Sequence, residues 1–210
     1  MDKTSLILVR HGQSEGNLKN LFLGHTDLDL TELGHLQAEK TADFLEAIPA
    51  DRIVSGDLKR AYHTALHTAR RKGMAVEKSV SLREIFAGDW ENKPFSDLEA
   101  RYRESFSFWE TDFFRSRCDG GESVMELADR LEKEALRIAE ENLGKTVLLF
   151  THATPIRVLA SLWKGADKEE LSPLPWPTNA SVTTAVYQKG AFSLLEYSRD
   201  DFMGDMVTGF

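Results

Sequence analysis

Short apolar, β-branched runs alternate with longer amphipathic segments along this chain of 210 residues. The short runs are typical of buried strands, because they are bounded by turn residues and lack a helical period. They predict strands over Leu6–Val9, Arg52–Ser55, Val76–Lys78, Thr146–Thr151, Ser181–Tyr187 and Phe192–Tyr197. A short connection containing Gly190 separates the last two, so we expect them to form a hairpin at a sheet edge.

The longer segments repeat apolar residues at helical spacing. They predict helices over Thr31–Ala47, Asp57–Lys72, a segment from Val124 past Ile138 that Gly144 closes, and Pro155–Trp163. The apolar face expected for the first helix consists of Leu33, Leu36, Ala42 and Leu45. Strands that alternate with helices favour a mostly parallel central sheet covered on both faces. The sequence therefore predicts a three-layer α/β/α fold with an edge hairpin at its C-terminal end.

One segment, at about residues 85–120, interrupts the alternation with a run of aromatic residues from Phe86 to Phe114. One interpretation is an inserted helix pair that packs onto the sheet in the ordinary way. The other is a cap whose aromatic underside contacts a substrate, as apolar walls do in many small-molecule sites. Both can hold for different residues. We therefore expect a single domain over residues 1–210 with a helical, aromatic-rich cap insertion at about 85–120.

Composition indicates which partners the protein can bind and in which cellular compartment it is expected. The formal net charge is −8, which disfavours nucleic-acid binding and requires local arginines to attract an anionic substrate. The apolar run near the N-terminus is too short for a signal peptide, and no stretch approaches the roughly 18 apolar residues of a membrane helix. The single cysteine, Cys118, excludes an internal disulfide and suits a reducing compartment. We expect a cytoplasmic protein that binds neither nucleic acid nor membrane.

The first predicted strand is followed by Arg10-His11-Gly12, which places an arginine, a histidine and a turn-forming glycine at its carboxyl end. Ligands bind at such carboxyl ends in open α/β sheets. A neutral imidazole there can attack phosphorus, while a neighbouring guanidinium holds phosphoryl oxygens bidentately. For a motif of three residues, a core or surface histidine is an equally weighted alternative.

Arg60 follows the second predicted strand and is expected in the first turn of a helix at the same end of the sheet. Helix N-termini and arginines both favour anions, although a solvated arginine is the alternative. His63 and His67 follow at a spacing of four residues, which can bind a metal. Because no neighbouring glutamate motif or cysteine completes such a site, we expect no metal.

A second histidine, His152, follows the most apolar strand of the sequence. Pro155 suits the first turn of the next helix, with Thr154 as its cap. His11 and His152 thus both follow the end of a predicted strand. Two histidines in equivalent positions are harder to explain as core residues than a single one. Glu84 begins the aromatic segment and is a candidate proton donor, although a glutamate in a loop is usually solvated.

Motifs of one family occur in order through most of the chain. They are Arg10-His11-Gly12 with Asn17, then Gly24-His25-Thr26-Asp27 with Leu30-Thr31, Gly34 and Gln37-Ala38, then Ser55-Gly56-Asp57-Leu58-Lys59-Arg60-Ala61 with Thr64-Ala65, then Leu82-Arg83-Glu84-Ile85-Phe86-Ala87-Gly88-Asp89-Trp90-Glu91, then Gly120-Gly121-Glu122-Ser123, and last Thr151-His152 with Ile156-Arg157. On these motifs the chain resembles the histidine phosphatase superfamily. The resemblance is to the branch shared by cofactor-dependent phosphoglycerate mutases and small bacterial broad-specificity or α-ribazole phosphatases.

The resemblance implies a two-step phosphoryl transfer on a small phosphorylated metabolite, without metal or other cofactor. His11 is then the nucleophile that forms a phosphohistidine. Arg10, Arg60 and His152 neutralise the phosphoryl oxygens, and Asn17 is an additional donor. Glu84 gives a proton to the leaving alcohol and then takes one from water, a role that requires a raised pKa. A monomer or a homodimer is expected.

The chain departs from the family at Ala153, which stands where members usually have glycine after the second histidine. The backbone amide survives this change and remains an expected contact of the substrate phosphate. A mutase is the main alternative. The greater usual length of mutases favours a phosphatase, whereas Arg115 and Arg117 keep a mutase possible because a carboxylate-bearing substrate needs such partners. A binding module that kept the fold and a zinc-dependent hydrolase are the further alternatives.

Overall fold

A central sheet of six strands organises the protein, as seen in a computed structural model that describes residues 3–165 and 172–209. In chain order the strands of the described residues are β1 (Thr4–Arg10), β2 (Leu21–Phe22), β3 (Arg52–Ser55), β4 (Glu77–Lys78), β5 (Lys93–Pro94), β6 (Thr146–Thr151), β7 (Val182–Gln188) and β8 (Ala191–Arg199). Of these, β2 and β5 lie outside the central sheet and pair with each other. The order across the sheet is β4-β3-β6-β1-β7-β8. The first four are parallel, and β7 and β8 form the antiparallel edge hairpin. The predicted strands and the predicted fold class are confirmed.

The helices cover both faces of this sheet. They are α1 (Glu15–Leu18), α2 (Glu32–Glu46), α3 (Lys59–Lys72), α4 (Phe95–Arg101), α5 (Arg103–Thr111), α6 (Val124–Glu141) and α7 (Ala153–Trp163). Short 3₁₀ turns lie at Val80–Leu82, Gly88–Trp90, Phe113–Arg115 and Asp201–Met206. Gly73 ends α3 with φ of 63°, a conformation that favours glycine. Among the described residues, no helix is long and apolar enough to span a bilayer.

Several details of the predicted helices are wrong. Leu36 is 49% exposed, because the buried face of α2 turns through Gly34, Gln37, Ala38 and Thr41 instead. The residue before α7 is His152, and Thr154 lies inside the helix, so Thr154 is not its cap. The third predicted helix, α6, ends at Glu141, before the Gly144 that was expected to close it. These errors arise where small or polar residues form the buried face or where a helix starts earlier than its proline.

Successive side chains of β1 point to opposite faces of the sheet, so the protein has one hydrophobic cluster on each face. Leu6 and Leu8 pack with residues of α6 and α7 on one face of the sheet, whereas Ile7 and Val9 pack with residues of α2 and α3 on the other. Strands buried on both faces in this way are apolar throughout, as parallel strands usually are.

Strand register brings the chemically interesting residues together. Arg10 pairs with Thr151 across β1 and β6, and Ser55 pairs with Phe150 across β3 and β6. The residues that directly follow these parallel strands therefore meet at one edge of the sheet. His11 and His152 are neighbours for this reason.

The aromatic segment belongs partly to the core and partly to the surface. Trp90 and Phe113 are buried in the cluster that includes α6 and α7, whereas Phe86 and Phe108 are exposed. The two-residue strands β2 and β5 pair antiparallel and tie this segment to the loop after α1. Sequence reasoning missed that pairing, because two residues show no period.

Candidate active site

His11 lies directly after β1, and its side chain is buried. Its Nδ1 is 2.7 Å from the carbonyl oxygen of Gly12, which can only accept, so Nδ1 carries the proton and Nε2 keeps its lone pair. Burial, reinforced by the positive charges of Arg60 and Arg10, holds the pKa of His11 well below its usual range. The ring is therefore a neutral imidazole at neutral pH, which suits a nucleophile.

The turn that carries His11 is held from several sides. The backbone N–H of Gly12 donates to Thr64 Oγ1 at 3.1 Å, and the carbonyl of His11 accepts from Asn179 Nδ2 at 3.2 Å. A Cβ at position 12 would lie 2.3 Å from the carbonyl oxygen of Gly34, so only glycine fits there. The imidazole is therefore presented by a rigid turn.

Arg10 and Arg60 are both about 1% exposed and both line the same cavity as His11. Arg10 donates to the carbonyl of Pro177. Arg60 donates through its two terminal nitrogens to the carbonyls of Gly24 and Thr26, each at 2.8 Å. Burial lowers the pKa of Arg10 to about 10 and also lowers that of Arg60, yet both stay charged at neutral pH. Two fixed cations thus face the space beside His11.

Glu91 stabilises the loop at Gly24–Thr26, whose carbonyl groups bind Arg60. Its carboxylate accepts backbone N–H groups from Gly24 at 3.0 Å, His25 at 3.1 Å and Thr26 at 2.6 Å. Three donors on one carboxylate turn the carbonyls of Gly24 and Thr26 toward the guanidinium. The family motif included Glu91, but nothing in the sequence revealed this chain of contacts.

His152 is completely buried and contacts the other predicted residues from behind. Arg60 donates Nε–H to His152 Nδ1 at 3.2 Å, and the rings of His152 and His11 meet edge to face at 5.2 Å. Burial, followed by the charge of Arg60, holds the pKa of His152 well below its usual range, so the proton of the neutral ring is on Nε2. Within the described ranges, Nε2 has no hydrogen-bond partner. Unlike the other six predicted site residues, His152 does not line the cavity.

Glu84 is buried, so the alternative of a solvated loop glutamate is wrong. Its Oε1 accepts the backbone N–H of Ile85 at 2.8 Å, and its Oε2 accepts that of Thr154 at 3.2 Å, in the first turn of α7. Burial raises the pKa of the Glu84 carboxyl, while these hydrogen bonds and Arg60 partly oppose the shift. A carboxyl group with a raised pKa that lines the cavity is suited to proton transfer.

Asn17 and Ala153 supply further donors at the cavity wall. The Oδ1 of Asn17 accepts from Ser14 Oγ at 2.9 Å and from Asn179 Nδ2 at 3.3 Å, which leaves the amide NH₂ as the group available to an oxyanion. Ala153 is the first residue of α7, where backbone N–H groups have no partner inside the helix. The methyl group of Ala153 is thus accommodated without closing the cavity.

The cavity has a volume of about 310 Å³. Its polar lining includes the residues described above together with Glu110 and Arg157. The rest of the lining includes an aromatic wall of rings in contact with one another: Phe22, Phe95, Phe106, Trp109 and Trp176. Phe106 and Trp109 belong to α5, so part of the aromatic segment does face the site. The lining therefore suits a ligand that has an anionic group and an apolar group.

Arg115 and Arg117, the possible partners of a carboxylate-bearing substrate in the sequence analysis, do not line this cavity. Arg115 and Arg117 line a separate surface depression, where Arg117 pairs with Glu126 at 2.6 Å. Arg157 lines the cavity instead. In the sequence, Arg157 stood out only as part of the last family motif. Its position in a helix does not by itself show whether its side chain faces the cavity.

The paired histidines of α3 lie outside the cavity. His63 Nδ1 is 2.6 Å from Asp29 Oδ1, and His67 Nε2 is 3.2 Å from His35 Nδ1. Over residues 3–165 and 172–209, no group of three or more histidine, cysteine, aspartate and glutamate side chains is arranged to hold a metal. His63 is thus engaged with Asp29, and His67 with His35.

Comparison with known proteins points to one family. The family model described as histidine phosphatase superfamily (branch 1) matches residues 6–200. A glucosyl-3-phosphoglycerate phosphatase of Mycolicibacterium vanbaalenii is 37% identical in an alignment 208 positions long that covers 93% of this chain and 92% of that protein. A 2,3-bisphosphoglycerate-dependent phosphoglycerate mutase of Mesorhizobium japonicum is 33% identical in an alignment 197 positions long that covers 90% of this chain and 94% of that one.

The fold is similar to solved structures as well. A mycobacterial glucosyl-3-phosphoglycerate phosphatase in complex with VO₃ superimposes with a TM-score of 0.83 and 30% identity, over 93% of this chain and 99% of that one. The similarity thus covers most of both chains.

Proposed function

The chain belongs to the histidine phosphatase superfamily, and from that premise we propose that it hydrolyses small phosphomonoesters through a covalent phosphohistidine on His11. One observation carries the proposal. The hydrogen bond from Nδ1 of His11 to the Gly12 carbonyl leaves a lone pair on Nε2, and two buried arginines and a buried carboxyl group line the same cavity as this ring. Phosphoryl transfer depends mainly on positioning and charge stabilisation, which these groups supply.

In the first step, Nε2 of His11 attacks phosphorus in line with the bond to the leaving alcohol. A new N–P bond forms as the P–O bond breaks, while Arg10 and Arg60 balance the charge on the equatorial oxygens. Asn17 and the amide of Ala153 add hydrogen bonds to those oxygens. Glu84 in its protonated form gives its proton to the departing oxygen.

In the second step, water attacks the phosphohistidine. Glu84, now a carboxylate, takes a proton from that water as the new P–O bond forms and the N–P bond breaks. Inorganic phosphate leaves, and His11 and Glu84 return to their starting states. His152 keeps Arg60 in place through both steps, because its Nδ1 accepts from Arg60 Nε.

We propose that residues 85–120 act as a cap over this site within a single domain. Support comes from Phe95, Phe106 and Trp109, which line the cavity and also join the core cluster shared with the sheet. The aromatic wall accepts varied leaving groups, so we expect activity on several small phosphorylated metabolites. A cytoplasmic location is proposed with it, supported by the buried free thiol of Cys118. The oligomeric state, monomer or homodimer, stays a prediction.

A mutase is the second candidate, because a mutase is among the similar proteins. Chain length does not separate the two activities, contrary to the expectation from the family. The alignment with that mutase, 197 positions long, covers 94% of it, so the mutase is no longer than this chain. Arg115 and Arg117 lie away from the cavity, so the carboxylate partners first expected for a mutase do not contribute to it.

The proposal is tested by trapping the intermediate. Enzyme quenched during turnover of a ³²P-labelled phosphomonoester should carry an acid-labile, base-stable phosphate on His11, located by peptide mass spectrometry. The variant H11A should show neither label nor turnover, whereas H63A is the matched control and should behave as the parent does. Label on another residue, or turnover by H11A at the parental rate, would overturn the nucleophile assignment.

A further inference from the structure

Arg157 is a cation in the cavity that the proposed chemistry does not use. It lies on α7, one turn after the N–H group that Thr154 donates to Glu84, and it lines the same cavity as His11. The phosphoryl group already has Arg10 and Arg60. A third guanidinium at the wall of the cavity therefore needs another explanation.

The surroundings of Arg157 hold its guanidinium without neutralising it. Its Nε donates to the carbonyl of Leu174 at 2.6 Å, and its central carbon lies 4.0 Å from the ring centroid of Trp176 and 4.3 Å from that of Phe113. These two rings, which meet each other edge to face at 86°, and one backbone hydrogen bond hold the group in place. In the part of the chain that the structure describes, no carboxylate lies within ion-pair distance of it.

The two terminal nitrogens are the remaining donors. With Nε committed to Leu174, they form the edge of the guanidinium that can bind an oxyanion bidentately. Partial burial makes such a pair stronger than one at an open surface, because the surrounding groups compete less well than bulk water. Burial also lowers the pKa of Arg157 to about 10, so the group is charged at neutral pH but incompletely solvated.

We infer that Arg157 recognises a carboxylate on the alcohol portion of the substrate, so that preferred substrates are phosphomonoesters that also carry a carboxylate. This inference rests on the proposed function. A carboxylate brings the single negative charge that one guanidinium balances, whereas a second phosphoryl group brings about −1.5 to −2. The aromatic rings beside Arg157 accept the carbon chain that links the two anionic groups.

The test uses a pair of substrates that differ at one carbon. 3-Phosphoglycerate carries a carboxylate where glycerol 3-phosphate carries a hydroxymethyl group. The parental protein should show a higher kcat/KM on 3-phosphoglycerate. In R157M, which keeps the length and apolar character of the side chain, that advantage should fall about 10- to 100-fold, as expected for a lost charged hydrogen bond, with glycerol 3-phosphate little affected.

A second variant and a matched control separate the possible outcomes. R157K keeps the charge but not the planar fork, and it should recover only part of the preference. R115M removes an exposed arginine on the cap and should leave the preference unchanged. Equal loss on both substrates in R157M and R157K would show a structural role and overturn the inference. If the parental protein prefers 1,3-propanediol bisphosphate to both substrates, Arg157 recognises a second phosphate and the inference of a carboxylate is overturned.

The same measurements distinguish this inference from the proposed function. If the parental protein hydrolyses glycerol 3-phosphate through a labelled His11 but has no preference for 3-phosphoglycerate, only the role of Arg157 fails. If neither substrate is hydrolysed and no label forms, the proposed function fails with it.

Discussion

Arg60 donates its Nε–H to Nδ1 of His152 at 3.2 Å, so two residues that follow different strands form one buried unit. The other nitrogens of Arg60 are held by carbonyls of the loop after β2. The orientation of this guanidinium therefore depends on three separate segments of the chain. His152 contributes to the site through that arginine in the geometry observed here.

Replacing His152 by phenylalanine should lower kcat by about 10²-fold, because a displacement of the order of 1 Å in a charged group can cost this much. The ring volume is roughly kept, but the acceptor for Arg60 Nε is lost. Steady-state kinetics with a phosphomonoester should show the loss mainly in kcat. H152Q, which keeps an acceptor, should retain more activity than H152F.

A double-mutant cycle provides the control for His152. With R60K as the second substitution, the two losses should be less than additive, since both act at one contact. Fully additive losses would mean that His152 acts independently of Arg60. Thermal unfolding of each variant separates this effect from lost stability.

E84Q should slow the hydrolysis of alkyl phosphates by about 10²–10⁴-fold and that of p-nitrophenyl phosphate much less. An alkoxide leaves poorly without a proton, whereas nitrophenolate needs little help. The comparison of kcat/KM on the two substrates measures the contribution of the proton donor. Equal losses on both would mean that Glu84 positions the site and does not donate.

The pH profile gives an independent readout on Glu84. Burial raises the pKa of its carboxyl, so the group keeps its proton to a higher pH than an exposed glutamate does. Activity needs the protonated form in the first step, so kcat/KM for an alkyl phosphate should fall as the pH rises through that raised pKa. This alkaline limb should be missing in E84Q and weak with p-nitrophenyl phosphate.

E91Q should lower kcat/KM by about 10-fold or more, although Glu91 does not line the cavity. An amide NH₂ in place of one carboxylate oxygen faces backbone donors and cannot accept from them, so the loop at Gly24–Thr26 should shift and release Arg60. Because Glu91 is a positioning residue, the pH dependence of kcat/KM should keep its shape while its amplitude falls.

E126Q is the control for Glu91. Glu126 pairs with Arg117 on the surface, so this variant removes the same charge without touching the loop. It should retain parental kinetics. Parental kinetics in E91Q as well would show that the carboxylate does not position Arg60.

Much of this arrangement follows from local sequence. An apolar strand followed at once by Arg10-His11-Gly12 determines where the imidazole lies, because strand burial and a tight turn are set by neighbouring residues. The parallel sheet and its edge hairpin were predictable for the same reason. So was the placement of Arg60 in the first turn of its helix.

The tertiary structure decided what the sequence left open. Burial of Glu84, the tautomer of His152, and the presence of Arg157 in the cavity with Arg115 outside it all depend on contacts between distant segments. The sequence determined which groups are present and the strand ends they follow. Only packing determined how deeply they are buried and which charges surround them, and the pKa of each group depends on both.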